Sequence, residues 1–440
     1  MTAPTGTSPD LLHRDAAAFM HQDGSSPCIG VIRGARGGWI ELEDGRRLLD
    51  LHGNSAHHIG YAHPRLVAAV KQQIDSLAFS PRRFANETAT LLAETLTARF
   101  RPGHSRVLLA PCGSDAVEIA LRLARVATGR SGIVALEGSY HGHGFASLAL
   151  GTARPDPRLG SQLPDIHHVT PYWDVAGGGA DRMLADIERA LHEAKGGIAC
   201  IIAEPMRSNC VVPPAGLWPA VAALASRHGT RLVFDEIPSG LGKTGRFFAH
   251  EHYGVTPDAV VLGKALGGGL VPIAAVIADS DLSVAPDLSL GHYTHEKNPV
   301  TACAALTTLQ IIDDEGLVAA ADRLGRYAET RLRETFADHP AGDAVSLRGL
   351  GLLRCADFGA MAAFGPEDAA DRLVDAAFAH RMSTTAKGRD AIGFSPALVV
   401  SEAEIDDACL ALRAAFDKVA ADGPVDPART EPRADRCARS

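Results

Sequence analysis

The chain has 440 residues, 46% hydrophobic and 22% charged, with a formal net charge of −9. That is enough chain for two domains around a sizeable core, and the acidic balance without long Lys/Arg runs excludes nucleic acid as the main partner. The longest apolar run, Leu270–Ala278, is short and contains Pro272, the N-terminus lacks a basic-then-apolar leader, and the cysteines follow no C-x-x-C spacing, so the expectation is a cytoplasmic enzyme without membrane span, metal or disulfide framework.

In chain order, residues 1–25 read as a polar arm, and two alternating runs around Asp44-Gly45 predict a hairpin over Trp39–Leu51. From Pro64 to about Phe100 the apolar spacing is helical. Apolar strands then alternate with helical stretches: Arg106–Ala110, Gly132–Leu136, Ala199–Ala203, Arg231–Phe234, Ala259–Leu262 and Ile273–Ile277. Such alternation predicts an α/β fold with a mainly parallel sheet and helices on both faces. After Pro299 come helices over Ala304–Ile312 and Leu317–Phe336, strands over Ala344–Leu347 and Leu352–Phe358, and helices near Ala369–Ala379 and Glu402–Ala420. These form a smaller α+β lobe. The expected partition is 1–63 (arm and hairpin, packed with the small lobe), 64–305 (large domain), 306–422 (small domain) and 423–440, a tail rich in Pro, Arg, Asp and Ala that reads as disordered.

The chemistry begins at Lys264, which an apolar run delivers into the glycine-rich turn Leu262-Gly-Lys264-Ala-Leu-Gly-Gly-Gly. Asp235 likewise ends a buried-looking strand, in Leu-Val-Phe-Asp235-Glu-Ile-Pro238. Alone, a lysine after a strand is more often a solvated loop residue, and an acid there more often an N-cap. Two further features change the balance. After the strand ending at Ala110, Pro-Cys-Gly113-Ser114-Asp115 opens an amphipathic helix whose free N–H groups suit a phosphate. Gly138-Ser-Tyr140-His141-Gly-His-Gly144 supplies an aromatic face in a loop. In open α/β sheets ligands gather at the carboxyl ends of the strands. An amine, an acid, a phosphate turn and a ring face together describe a site for pyridoxal 5'-phosphate.

With those motifs, in that order, the chain resembles the class III, fold-type I pyridoxal-phosphate aminotransferases from about Trp39 to Leu412. The resemblance implies a seven-stranded sheet, Lys264 as the covalent anchor of the cofactor and Asp235 as the partner of its ring nitrogen. It implies phosphate contacts from Gly113 and Ser114, ring stacking by Tyr140, and a homodimer in which Thr294 reaches the phosphate of the neighbouring subunit's site.

Three departures from the family pattern bear on substrate. Gly393 stands where members that bind keto acids carry an arginine. Glu204-Pro-Met-Arg207-Ser-Asn-Cys replaces Glu-Pro-x-x-Gly-Glu-Gly, and Pro238 replaces an amide beside the cofactor acid. In compensation, Ser80-Pro-Arg82-Arg83-Phe84 offers guanidinium forks for an anion, against the commoner role of such arginines in surface ion pairs. Asn54 and Arg207 complete the expected substrate contacts; Lys297 and Lys387 are further anion candidates for which surface exposure is the simpler account. His57 and His58 are weaker candidates, one of them read as structural. Within the class, His52-Gly-Asn54, Ser80–Phe84, Glu204–Ser208 and Gly291–Pro299 resemble the ammonia-lyases that convert (R)-1-hydroxy-2-aminoethylphosphonate to phosphonoacetaldehyde. The alternative is an ω-transaminase using pyruvate or another keto acid. A non-catalytic binding module is disfavoured by the intact lysine, acid and phosphate turn.

Overall fold

The computed structural model describes residues 8–22, 28–160, 162–339, 345–358, 369–388 and 391–422. The expected tail at 423–440, Ala344, and Arg389 beside the Gly393 segment lie outside the described residues. Within the polar arm, Ser8–Ala18 is helical. Strands β1 (Ile32–Arg36), β2 (Trp39–Leu42) and β3 (Arg47–Asp50) then pair antiparallel. The β2–β3 turn closes at Gly45, φ 80°, a left-handed conformation that glycine adopts without a Cβ penalty.

Strands β4 (Ser105–Ala110), β5 (Gly132–Leu136), β6 (Ile166–Val169), β7 (Ile198–Ala203), β8 (Arg231–Asp235), β9 (Ala259–Leu262) and β10 (Ala274–Asp279) form one seven-stranded sheet, ordered β4-β10-β9-β8-β7-β5-β6. β10 runs antiparallel to β4 and β9, and the other pairings are parallel. β5, β7 and β9 are buried at every position, because helices cover both faces, and that is why they read as unbroken apolar runs. On β5, Ile133 and Ala135 pack with the helix Gly113–Thr128, whereas Val134 and Leu136 pack with the helices Gly179–Glu193 and Leu217–Arg227. The edge strand β6, Ile-His-His-Val, escaped the sequence reading. It is largely half-buried, and its two histidines interrupt the apolar signal. The C-terminal ends of β4, β5, β7, β8 and β9 share one edge of this sheet.

The remaining strands are β11 (Ser346–Leu350), β12 (Leu353–Asp357), β13 (Met382–Ser383) and β14 (Ala391–Phe394). β11, β12 and β14 make an antiparallel sheet, while β13 adds in parallel to β3. The helices Leu317–Thr335 and Glu402–Asp422 pack beside each other and bring the former onto β11. The β11–β12 turn is clamped against the large sheet's loops. Leu352 N donates to Lys243 O at 2.9 Å, and a Cβ on Gly351 would lie 2.4 Å from the Thr244 carbonyl carbon. On the other side, a Cβ on Gly325 would lie 2.0 Å from Gly351 O. Lys243, fully buried, donates its Nζ to Ser395 O at 3.2 Å and to Pro396 O just after β14.

A second tie runs through residues 50–61. Asp50 Oδ1 accepts from His52 N (3.0 Å) and Gly53 N (3.1 Å), and Oδ2 from Tyr61 Oη (2.7 Å). His57 Nε2 donates to Asp50 O at 3.1 Å and His58 Nε2 to Gly240 O at 3.3 Å, while His58 O accepts Leu398 N. Both imidazoles are buried and serve as structural struts. Burial first, then Lys243, pulls His57 down to about 4 and His58 well below its usual value.

Two outcomes are expected. Gly325→Ala drives a methyl group into a backbone carbonyl and should cost about 1–3 kcal/mol, seen as a lowered thermal midpoint; Gly34→Ala, with no atom within 4 Å of its Cβ, should leave the midpoint unchanged. Equal midpoints for the two variants would disprove the clamp. His57 titrates near 6.5 when unfolded and about 4 when folded, so the unfolded chain binds more protons in that window and stability falls as pH drops through it. His57→Gln should flatten that acid limb, and a wild-type slope in the variant would contradict the assignment.

Candidate active site

Five strand ends deliver the site. At the end of β8, Asp235 is 2% exposed, and a carboxylate so withdrawn from water needs partners for its oxygens. Its Oδ2 accepts from His141 Nδ1 at 2.7 Å and its Oδ1 from Ile237 N at 3.1 Å. His141 is itself buried, and its Nε2 has no hydrogen-bond partner among the described residues. The neighbouring Glu236 does something different. It accepts from Ala249 N, His250 N and His250 Nδ1 at 2.6–2.9 Å, which fixes the loop behind the site.

Past the end of β9, Lys264 has φ 45°. A non-glycine residue in the left-handed region costs on the order of 1 kcal/mol, and such strain persists where the surroundings impose it. Its glycine neighbours explain the turn: a Cβ on Gly268, φ 64°, would lie 2.5 Å from Leu66 Cδ2. The residue is exposed, yet the protein around its ammonium is dense enough for desolvation to hold it below the ordinary range. Asp235 and Glu204 oppose that shift and Lys387 adds to it. Glu204, just past β7, is 5% exposed, and its Oε2 finds no hydrogen bond, Arg207 Nε standing 3.7 Å away. Burial first, and Asp235 further, push its carboxyl up, against His141, Arg207 and Lys264. Trp218 Nε1 donates to Pro205 O at 2.8 Å and pins this turn.

After β4, the helix Gly113–Thr128 starts under the loop that follows β5. A Cβ on Gly113 would lie 2.7 Å from Ile237 Cδ1 and would push that side-chain end aside, so the glycine lets the helix start approach the Asp235 turn with Ile237 in place. Ser114 Oγ accepts His143 N at 3.1 Å. Gly142, φ 123°, passes so near that a Cβ would meet Ser114 Oγ at 2.3 Å. Tyr140 is half exposed and meets His143 edge-on at 5.4 Å; burial, then Asp235, raises its phenol.

These residues fit pyridoxal phosphate. The strained lysine carries the amine, the buried carboxylate oriented by His141 suits a protonated ring nitrogen, and the glycine turn leaves backbone N–H groups of a helix start for a phosphate. Pro238, where an amide is usual, brings no side-chain donor to the ring hydroxyl.

The expected substrate contacts divide. Asn54, φ 48°, bonds His52, whose imidazole is held below its ordinary value by burial, then Lys387, with Lys264 adding to the effect. Arg207 stacks over Trp173 at 5.0 Å beside Glu204. Arg82 and Arg83 sit elsewhere. Phe79 meets His295 edge-on at 5.4 Å and Asn86 Nδ2 donates to Lys297 O at 3.0 Å, so their segment packs on the one carrying Thr294 and Lys297. Among the described residues, no hydrogen bond or ion pair joins either segment to Lys264, Asp235 or Glu204. Thr294 is exposed. Two residues of the cluster had no role in the sequence reading, His141 and Glu204. Each stands inside a motif already singled out, but that they meet Asp235 and Lys264 depends on loops from different strands.

The pattern of the family described as Aminotransferase class-III matches residues 20–416. The (R)-1-hydroxy-2-aminoethylphosphonate ammonia-lyase of Vibrio splendidus is 33% identical, over 94% of this chain and 91% of its own length. Acetylornithine aminotransferase of Mycolicibacterium smegmatis is 35% identical, over 94% and 99%. An amine transaminase from an uncultivated Pseudomonas species, solved with pyridoxal phosphate bound, superposes with a TM-score of 0.80 at 27% identity, covering 91% of this chain and 99% of that one. The chain belongs to the class-III aminotransferase family and is a fold-type I enzyme that uses pyridoxal phosphate.

Proposed function

We propose that the enzyme eliminates ammonia from a small anionic β-hydroxy amine, (R)-1-hydroxy-2-aminoethylphosphonate, giving phosphonoacetaldehyde. The observation that carries this reading is Gly393. On β14, where keto-acid-binding relatives hold an arginine, this chain presents bare backbone, paired through Cys355 to β12. A keto acid would bury a carboxylate there without its planar clamp, at a cost of several kcal/mol. Elimination needs no second substrate. The similarity to the Vibrio splendidus lyase points the same way.

The bound cofactor supplies the electron sink for the substrate carbon bearing nitrogen. Lys264 would hold it and, with its amine free, would be the base that takes the proton from that carbon. Desolvation favours its neutral, basic form for that step. Asp235, held by His141 and the Ile237 amide, keeps a negative charge against the ring nitrogen. Gly113 and Ser114 would hold its phosphate, and Tyr140 would supply an aromatic face for its ring. Loss of the neighbouring hydroxyl as water, then hydrolysis of the released imine, gives the aldehyde and ammonia in balance. In this reading the enzyme works as a homodimer. Phe79, Phe84 and Phe145 are 44%, 66% and 80% exposed on the single chain, apolar side chains that a second copy would cover. Thr294 and Arg82 with Arg83 then serve the neighbouring site, the arginines meeting the phosphonate.

Two measurements test this. Purified holoenzyme with the hydroxyaminophosphonate and no keto acid should release ammonia over many turnovers, and Lys264→Ala should release none. A single turnover that stalls until pyruvate is added would instead establish the ω-transaminase reading. Arg82→Ala should raise KM about tenfold or more, as loss of a charge-assisted hydrogen bond implies, with cofactor retention unchanged. Parallel loss of both would assign Arg82 to the fold.

A further inference from the structure

The place left bare at Gly393 is covered from the same chain. Residues 385–387 pair antiparallel with 391–393: Lys387 N donates to Ala391 O at 2.7 Å and Gly393 N to Thr385 O at 2.8 Å. This register folds the Lys387 side chain back over Gly393, so that its Cε lies 3.5 Å from where a Gly393 Cβ would be. Thr384 Oγ1 and Thr385 Cγ2 floor the same spot at 3.6 Å, the Thr384 hydroxyl being engaged with Gly393 O at 2.6 Å. The lysine stem thus lies in van der Waals contact with the spot from which an arginine at 393 would start, and brings a cation to the place such an arginine would serve.

The direction of this face follows from the sheet. Gly393 pairs with Cys355. Cys355 packs with Leu353, Ala391, Met206 and Cys210, on the segment that begins at Glu204 beside Lys264. Lys387 is half-buried, and its charge is felt by Lys264, by His52 and by the Cys210 and Cys355 thiols. Charges are felt this way only across short, poorly screened distances.

From this geometry we infer that Lys387 is the anion anchor this chain brings to its own substrate site, in place of an arginine at 393 and alongside the neighbouring copy's arginines, and that it selects a tetrahedral oxyanion, phosphonate or phosphate, over a planar carboxylate. A guanidinium matches a carboxylate through two parallel N–H bonds, whereas an ammonium is a compact charge with three rotatable donors and no planar preference. The inference deepens the reading above and rests on it for the identity of the amine, but anion selection stands on its own measurement.

The test is calorimetric titration of holoenzyme with ethylphosphonate and with propionate, alongside KM and kcat for the hydroxyaminophosphonate. Wild type should bind ethylphosphonate more tightly than propionate. Lys387→Met should weaken ethylphosphonate at least about tenfold and raise KM with little change in kcat, its cofactor absorbance intact; Lys387→Arg should restore binding while narrowing the preference over propionate. Wild-type affinity in Lys387→Met, or no ethylphosphonate binding by the wild-type enzyme, overturns the inference. Should titration behave as expected while no ammonia is released without an acceptor, the anchor stands and the elimination reading fails.

Discussion

The site is organised by a carboxylate that cannot be left alone. Asp235 is withdrawn from water at the end of a parallel strand, and an isolated buried charge is costly enough to destabilise the fold unless hydrogen bonds answer it. Two answers come from protein, the His141 imidazole and the Ile237 amide. Both have further consequences. His141 fixes the loop that carries Tyr140 and closes over Ser114, and Ile237 packs under Gly113, where a side chain would push its Cδ1 aside. Satisfying one acid thus aligns the ring face, the phosphate turn and the strand end. The helix start, with its unpaired N–H groups, is brought to the same place by the same contact.

Lys264 is set into that frame by backbone strain. Its left-handed conformation sits among glycines that cannot carry side chains, since Gly268 is pressed against Leu66 and Thr308. The residue is exposed, yet its ammonium is surrounded closely enough for desolvation to dominate its titration, with Asp235 and Glu204 as counterweights. The lobes hold their relation through backbone contacts: Gly351 between the 243–245 loop and the helix carrying Gly325, Lys243 reaching the carbonyls after β14, and the 50–61 segment tied to Gly240 and Leu398. The small sheet, with β14 and Gly393, is therefore held to the large sheet's loops with little freedom.

Much of this was legible in the chain itself. β5, β7 and β9 are buried on both faces and so appear as unbroken apolar runs; Lys264, Asp235 and the Gly113-Ser114 turn stand directly after such runs, where a parallel sheet must expose its ends. Those signals are local, and they determined the fold class, the family and the cofactor chemistry. β6 was not legible, because an edge strand only half covered has no need of an apolar run and carries two histidines instead.

Contacts between distant segments were decided by tertiary structure alone. His141 and Asp235 are separated by 94 positions, and no spacing rule links them; the parallel order of β5, β7 and β8 does. The same holds for Glu204 beside Lys264, and for Arg82 lying with Thr294 rather than with Lys264 in the single chain. Lys387 reads in sequence as an anion candidate for which surface exposure is the simpler account. Only the antiparallel register that turns it back over Gly393 gives it an address, because where a flexible side chain points is set by the backbone on which it is folded and not by its neighbours in the chain.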